Sequence, residues 1–223
     1  MTGSFFERLI SGKSSKFQCH YEEPYAIHKL SNNFATLLHA LNPGLAREIV
    51  IVGIGTDRST GDCLGPLVGT KLCERKINRL TVYGTLDEPV HAGNLTQKLS
   101  RIQAGHPNCL IVAVDASLGK TTSIGNITIS PGALKPGTGV KKELPHVGEM
   151  HFTGVINVAG HMEYFVLQNT RLSLVMQMAD KITQSITYGY RRALSQIPLE
   201  DRSSAASLNE NDSSIAEKGN PQF

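Results

Sequence analysis

Two short runs of this chain leave little choice of conformation: Ile49-Val50-Ile51-Val52 and Cys109-Leu110-Ile111-Val112-Ala113-Val114. Both are apolar at every position and rich in β-branched residues, which suit an extended backbone better than a helix. A strand with one wet face alternates apolar and polar residues, so a run that does not alternate is covered on both faces. The chain is therefore expected to build a central sheet sandwiched between helices.

The intervening segments fit that expectation. From Ala26 to Leu41 the residues Ile27, Leu30, Phe34, Leu37, Leu38 and Leu41 recur at helical spacing, and Asn42-Pro43-Gly44 stops the helix. A second helix is expected within Gly61 to Arg75, with Asp62 near its start, then a strand over Leu80 to Tyr83. Asn94 is read as the cap of a helix carrying Leu95, Leu99 and Ile102. Ile124 to Ile129 alternates more and reads as an edge or antiparallel strand, Phe152 to Val158 as another strand, and Thr170 to Ile186 as an amphipathic helix. Strands alternating with helices predict an α/β fold: three layers, α/β/α, with a mainly parallel twisted sheet.

With 223 residues the chain fits one domain with ragged ends. Residues 1–24 read as an irregular N-terminal segment, 25–195 as a single α/β domain, and 196–223, rich in Ser, Asn, Glu and Asp, as a disordered tail. The Gly/Pro-rich stretch 131–150 is too long for a mere connection and is a candidate lid.

Composition excludes several classes of function. The net charge is only +3 and no Lys/Arg block exceeds a doublet, so no nucleic-acid footprint is visible. No apolar stretch approaches the roughly 20 residues a membrane helix needs, and Glu7-Arg8 directly follows Phe5-Phe6 where a signal peptide would stay apolar. The four cysteines show no metal-binding spacing, which points to free thiols in a reducing, cytoplasmic compartment. Cys63, beside Asp62, is read as packing rather than as a nucleophile.

Familiar motifs are approached and missed. Gly53-Ile54-Gly55 would need its third glycine at Arg58 to bind a dinucleotide, and Gly119-Lys120-Thr121 would need a leading glycine at Val114 to form a P-loop. His161-Met162-Glu163 lacks the later P-C-x-x-C of a zinc deaminase. His146 and His151 are spaced too widely for H-E-x-x-H. A phosphate-binding role for the Gly53–Gly61 loop stays open, opposed by the negative charge of Asp62.

Both apolar strands deliver an acidic residue to their C-terminal side, where open α/β sheets place their ligands. Asp62 follows the first and Asp115 ends the second. Taken singly, Asp62 could be a helix cap and Asp115 a turn former. As a pair from adjacent parallel strands they suggest one site. Two nearby carboxylates cannot both ionise freely, so they can divide base and acid roles; with an imidazole added they can instead bind a divalent metal ion.

Gly-Ile-Gly, a short loop, Asp62-Cys63-Leu64-Gly65-Pro66-Leu67-Val68 and Ile111-Val112-Ala113-Val114-Asp115-Ala116 resemble the hydrogenase-maturation endopeptidases and the bacterial spore germination protease. The stretch from Gly148-Glu149 to Asn169-Thr170-Arg171-Leu172 narrows the resemblance to the YyaC-type sporulation proteins. The resemblance covers roughly Glu48 to Ile186 and implies the same α/β fold. It implies that Asp62 and Asp115 are the catalytic acids, or metal ligands with His146 as the third and His151 as its rival. Neither the composition nor the resemblance demands a cofactor beyond that possible divalent metal ion. Expected partners are a protein or peptide substrate, without nucleic acid or membrane. The expected activity is peptide-bond hydrolysis, with a non-catalytic spore-assembly or peptide-binding protein as the alternative. Glu163-Tyr164 is a further candidate for the cleft wall. The sequence after Asp115-Ala116, Ser117-Leu118-Gly119-Lys120, departs from the germination protease and points to a different way of handling substrate.

Overall fold

The computed structural model describes residues 16–136 and 144–198. Six strands form one sheet: β1 (Phe17–His20), β2 (Ile49–Gly53), β3 (Leu80–Tyr83), β4 (Leu110–Gly119), β5 (Asn126–Pro131) and β6 (Met150–Val158), in the spatial order β1-β5-β6-β4-β2-β3. β3, β2, β4 and β6 are parallel, while β5 runs antiparallel between β6 and β1. Ile124–Ile129 thus contributes an inner antiparallel strand rather than an edge. The edge is β1, inside the stretch expected to be irregular; with only four residues it carries too little pattern to be read.

Among the described residues five α-helices cover the sheet: α1 (Ala26–Leu41), α2 (Leu64–Glu74), α3 (Leu95–Gly105), α4 (Glu163–Gln168) and α5 (Leu172–Ser195). Side-chain alternation splits the core accordingly. Ile49, Ile51, Val112, Val114 and Phe152 pack with residues of α1, α2 and α5, whereas Val50, Val52 and Ala113 pack with Leu95 and Ile102 of α3 and with Leu134 and Val147. Both faces of β2 are buried, as its unbroken apolar run requires. The result is the expected three-layer arrangement. The expected tail lies outside the described residues from 199 onward, as does 137–143 within the candidate lid.

The topology prepares a site. From β2 the chain passes through α2 to β3 on one side, then returns through α3 to β4 on the other side of β2. The direction of winding reverses between β2 and β4, and a crevice opens at the C-terminal edge of such a switch point.

Candidate functional site

A cavity of about 490 Å³ occupies that crevice, with both Asp62 and Asp115 in its wall. The loop after β2 reaches it through a tightly specified path. Ile54 forms a parallel bridge with Val90, the Ile54 N–H donates to the Val114 carbonyl oxygen (2.7 Å), and the Gly55 N–H donates to the Val90 carbonyl oxygen (2.8 Å). The Thr56 N–H then donates to the Asp62 carbonyl oxygen (3.1 Å), closing the loop. These three backbone donors are spent within the fold and are not free to cradle a phosphate.

Asp62 lies in a single 3₁₀ turn, Gly61–Cys63, which leads directly into α2. The turn can seat against the sheet because Gly65 has no side chain: a Cβ there would lie 2.2 Å from the Ile54 carbonyl oxygen and 2.7 Å from that of Val114. Cys63 is buried and its Sγ–H donates to the Thr60 carbonyl oxygen (2.9 Å), consistent with packing rather than nucleophilic use.

Asp115 does not end its strand. β4 continues to Gly119 because β6 remains alongside it, and Asp115 pairs with Thr153. Its neighbour on the other side stops earlier: the β2 ladder ends at Gly53 opposite Val114. Asp115 is therefore the first β4 residue beyond the end of β2. Its side chain projects to the same face as Ala113, where α3 lies, and it is 7% exposed.

The remaining wall is mostly apolar. Leu95, Leu118, Leu134, Leu144 and Leu167 line it, with Glu163 and Tyr164 of α4 at one side. Both candidate cleft residues are thus in the wall. Lys135, Pro136 and Leu144 bring the described ends of the 131–150 stretch onto the cavity. Ser59 also lines it, and its Oγ has no hydrogen-bond partner among the described residues. The sequence reading missed Ser59, Leu167 and His91. The last could have been found by applying the strand-end rule to β3, whose following loop carries it.

Residues 18–185 match the DUF1256 family, described as a protein of unknown function. The chain belongs to that family. The DUF1256 chain is 52% identical over 151 residues to the "Uncharacterized protein YyaC" of Bacillus subtilis (strain 168), a match covering 68% of this chain and 74% of that protein. It is also similar, at 19% identity and a TM-score of 0.41, to the [NiFe] hydrogenase maturation protease HycI from Thermococcus kodakarensis KOD1, over 67% of this chain and 93% of that one. At that overlap the likeness carries no argument about the site.

The histidines expected to complete a metal site in this DUF1256 protein lie elsewhere. His146 is exposed, and neither it nor His151 lines the cavity. His151 sits near the start of β6, paired with Ala113, and its Nδ1 bonds the Gly132 carbonyl oxygen (2.9 Å). Among the described residues no group of three or more His, Cys, Asp and Glu side chains is placed to hold a metal ion. Two carboxylates alone do not make a three-ligand protein site. No helix among the described residues is long and apolar enough to cross a membrane.

The electrostatics of the pair separate its members. Burial lifts the Asp62 carboxyl to about 6, against the pull of the Thr56 backbone N–H. Asp115 is raised well above the ordinary carboxylate range, first by burial and then by the charge of Asp62; the Ala116 N–H opposes this only in part. Asp115, which feels the charge of Asp62 as well as its own burial, is therefore the member of the pair that holds its proton more tightly. One cavity then holds a base and an acid built from the same side chain in two environments.

Proposed function

We propose that this protein is an endopeptidase that hydrolyses a peptide bond in a specific protein substrate, with Asp62 as general base and Asp115 as general acid. The observation that carries the reading is the placement of the two carboxyls in one largely apolar cavity, where burial raises both and the charge of Asp62 raises Asp115 further. Asp62 takes a proton from water as the water oxygen bonds to the scissile carbonyl carbon. Asp115 gives its proton to the amide nitrogen as the C–N bond breaks. The apolar walls suit a substrate segment with large aliphatic or aromatic side chains and exclude bulk water, which strengthens both proton transfers. On this reading the activity belongs to the cytoplasm of the sporulating cell or to the spore interior, a setting that the resemblance to the YyaC-type sporulation proteins supports.

The test is digestion of a mixed peptide pool rich in Leu, Phe and Val by the full-length chain, with new termini mapped by mass spectrometry. The wild type is expected to cut at a restricted set of sequences, and Asp62→Asn and Asp115→Asn to cut none while remaining folded. Undiminished cutting by either variant overturns the mechanism, and loss of cutting on chelation overturns its metal-free form.

A second reading, a non-catalytic peptide-binding protein, is favoured by Met162, Tyr164, Phe165 and Leu172, which are more than half exposed on and beside the helix that borders the cavity. Peptide retained without cleavage, unchanged in the two Asn variants, would select it.

A further inference from the structure

Another group in the cavity wall whose chemistry is unspent is the imidazole of His91. Its position is fixed by the loop after β3. Val90 is bridged to Ile54, so the residue that follows it is held beside the loop that presents Asp62. The His91 N–H donates to Asn94 Oδ1 (2.9 Å), Asn94 Nδ2 donates to the Pro89 carbonyl oxygen (3.0 Å), and the N–H groups of Asn94 and Leu95 both donate to the His91 carbonyl oxygen (2.9 Å). Asn94, expected to cap α3, therefore makes no side-chain cap bond and instead locks the backbone of His91.

The same loop also orients the ring. The Gly93 N–H donates to His91 Nδ1 (3.1 Å), and the Nδ1–Cε1 edge lies so close to Gly93 that a Cβ there would stand 3.1 Å and 3.0 Å from those two atoms. A nitrogen that accepts an N–H keeps its lone pair, so the neutral ring carries its proton on Nε2. Nε2 has no hydrogen-bond partner among the described residues. The site thus contains a donor oriented by its own loop, with no bond to a group among the described residues. His91, Asp62 and Asp115 share the cavity without converging on a common ion-sized point, which leaves a substrate between them.

We propose that His91 is a further catalytic residue, whose Nε2–H binds the scissile carbonyl oxygen and stabilises the negative charge that develops there. This role rests on the peptidase reading. As water oxygen bonds to the carbonyl carbon and its proton passes to the Asp62 carboxylate, the carbonyl π pair moves onto oxygen, which His91 holds. The pair returns as the C–N bond breaks and the nitrogen takes the Asp115 proton, so peptide and water become acid and amine; the proton that Asp62 took then passes to Asp115 through solvent, which restores the carboxylate and the carboxylic acid for the next turnover. Neither carboxyl can take over this duty, because both are engaged in proton transfer. A preorganised donor aimed at developing charge is worth about 10²–10³ in turnover.

The experiment uses the full chain and a peptide that the wild type cuts from the Leu/Phe/Val-rich pool. His91→Ala is expected to lower kcat by about 10²-fold with KM nearly unchanged. His91→Gln, which offers a carboxamide N–H in place of the ring N–H, is expected to recover part of that loss. In parallel, ¹⁵N-histidine NMR of the wild type is expected to show His91 protonated on Nε2, with that resonance moving when the tripeptide aldehyde acetyl-Leu-Leu-norleucinal is added. A His91→Ala chain with kcat within about twofold of wild type overturns the role and leaves the peptidase reading standing. So does a proton found on Nδ1. A wild-type chain that cuts nothing in the pool removes the peptidase reading and this role with it.

Discussion

A Cβ atom on Gly55 would stand 1.8 Å from the backbone carbonyl oxygen of Asp62. The two residues are thus pressed together at the mouth of the cavity, and Gly55 reaches this contact with φ at 137°, a region L side chains rarely adopt. The glycine decides where the acidic residue can sit. Gly55→Ala is expected to push the Asp62 turn outward, lowering stability on the order of 3 kcal/mol and abolishing any cleavage. Urea denaturation and the peptide digest check this together; a variant with wild-type midpoint and activity would show that the contact yields freely.

The packing between the sheet and its helices is open to a simpler check. Phe34 of α1 and Phe152 of β6 are both fully buried, with ring centroids 5.5 Å apart. Phe152→Ala leaves a cavity in the centre of that layer and is expected to cost about 3–5 kcal/mol in thermal or denaturant unfolding.

The two carboxyls should weaken the fold they serve. In the unfolded chain Asp62 titrates near its ordinary value of 3.8 and in the folded chain at about 6, so the folded state binds its proton more tightly. The sign follows: the penalty is absent below the unfolded value and grows as pH rises through the folded one, by about 3 kcal/mol for Asp62 alone. Asp115, raised further by its burial, extends the loss to higher pH. Asp115→Asn and Asp62→Asn keep the shape and remove the ionisation, so both variants are expected to be inactive yet more stable than wild type at pH 8, and equal to it near pH 4. Thermal midpoints across that range read the difference directly. A variant less stable than wild type at pH 8 contradicts the assignment.

The same residues show how far the sequence could be read. The unbroken apolar runs at Ile49–Val52 and Leu110–Val114 are enough to specify two strands covered on both faces, and the helical spacing of Leu30, Phe34, Leu37 and Leu38 is enough for α1, because burial on a fixed period writes itself into local composition. Asp62 and Asp115 were legible for the same reason: each follows such a run. What was not legible depends on partners distant in sequence. β1 is a strand only because β5 pairs with it. Asp115 lies inside a strand only because β6 outlasts β2 beside β4. His91 belongs to the cavity only because Val90 bridges Ile54. His146 was chosen by a resemblance rather than by any pattern in its own surroundings, and the chain leaves it exposed.

The pH dependence of cleavage follows from the division of labour between the carboxyls. The proposed mechanism needs Asp62 ionised and Asp115 protonated. The proton leaves Asp62 at about 6, and Asp115 holds its own well above the ordinary carboxylate range. The profile of kcat/KM against pH is therefore expected to rise through about 6, pass a maximum and fall on the alkaline side as Asp115 ionises. The two limbs belong to the coupled pair, since the charge on Asp62 is itself part of what keeps Asp115 protonated. The assignment can be separated from a generic pH effect by Thr153, the residue opposite Asp115 in the β4–β6 ladder and in the same cavity wall. Thr153→Val removes a hydroxyl near Asp115 and makes its surroundings more apolar, which disfavours the ionised form. It is expected to move the alkaline limb upward while the acid limb stays near 6. A profile in which the acid limb moves instead, or which has no acid limb near 6 in the wild type, would assign the base to another group.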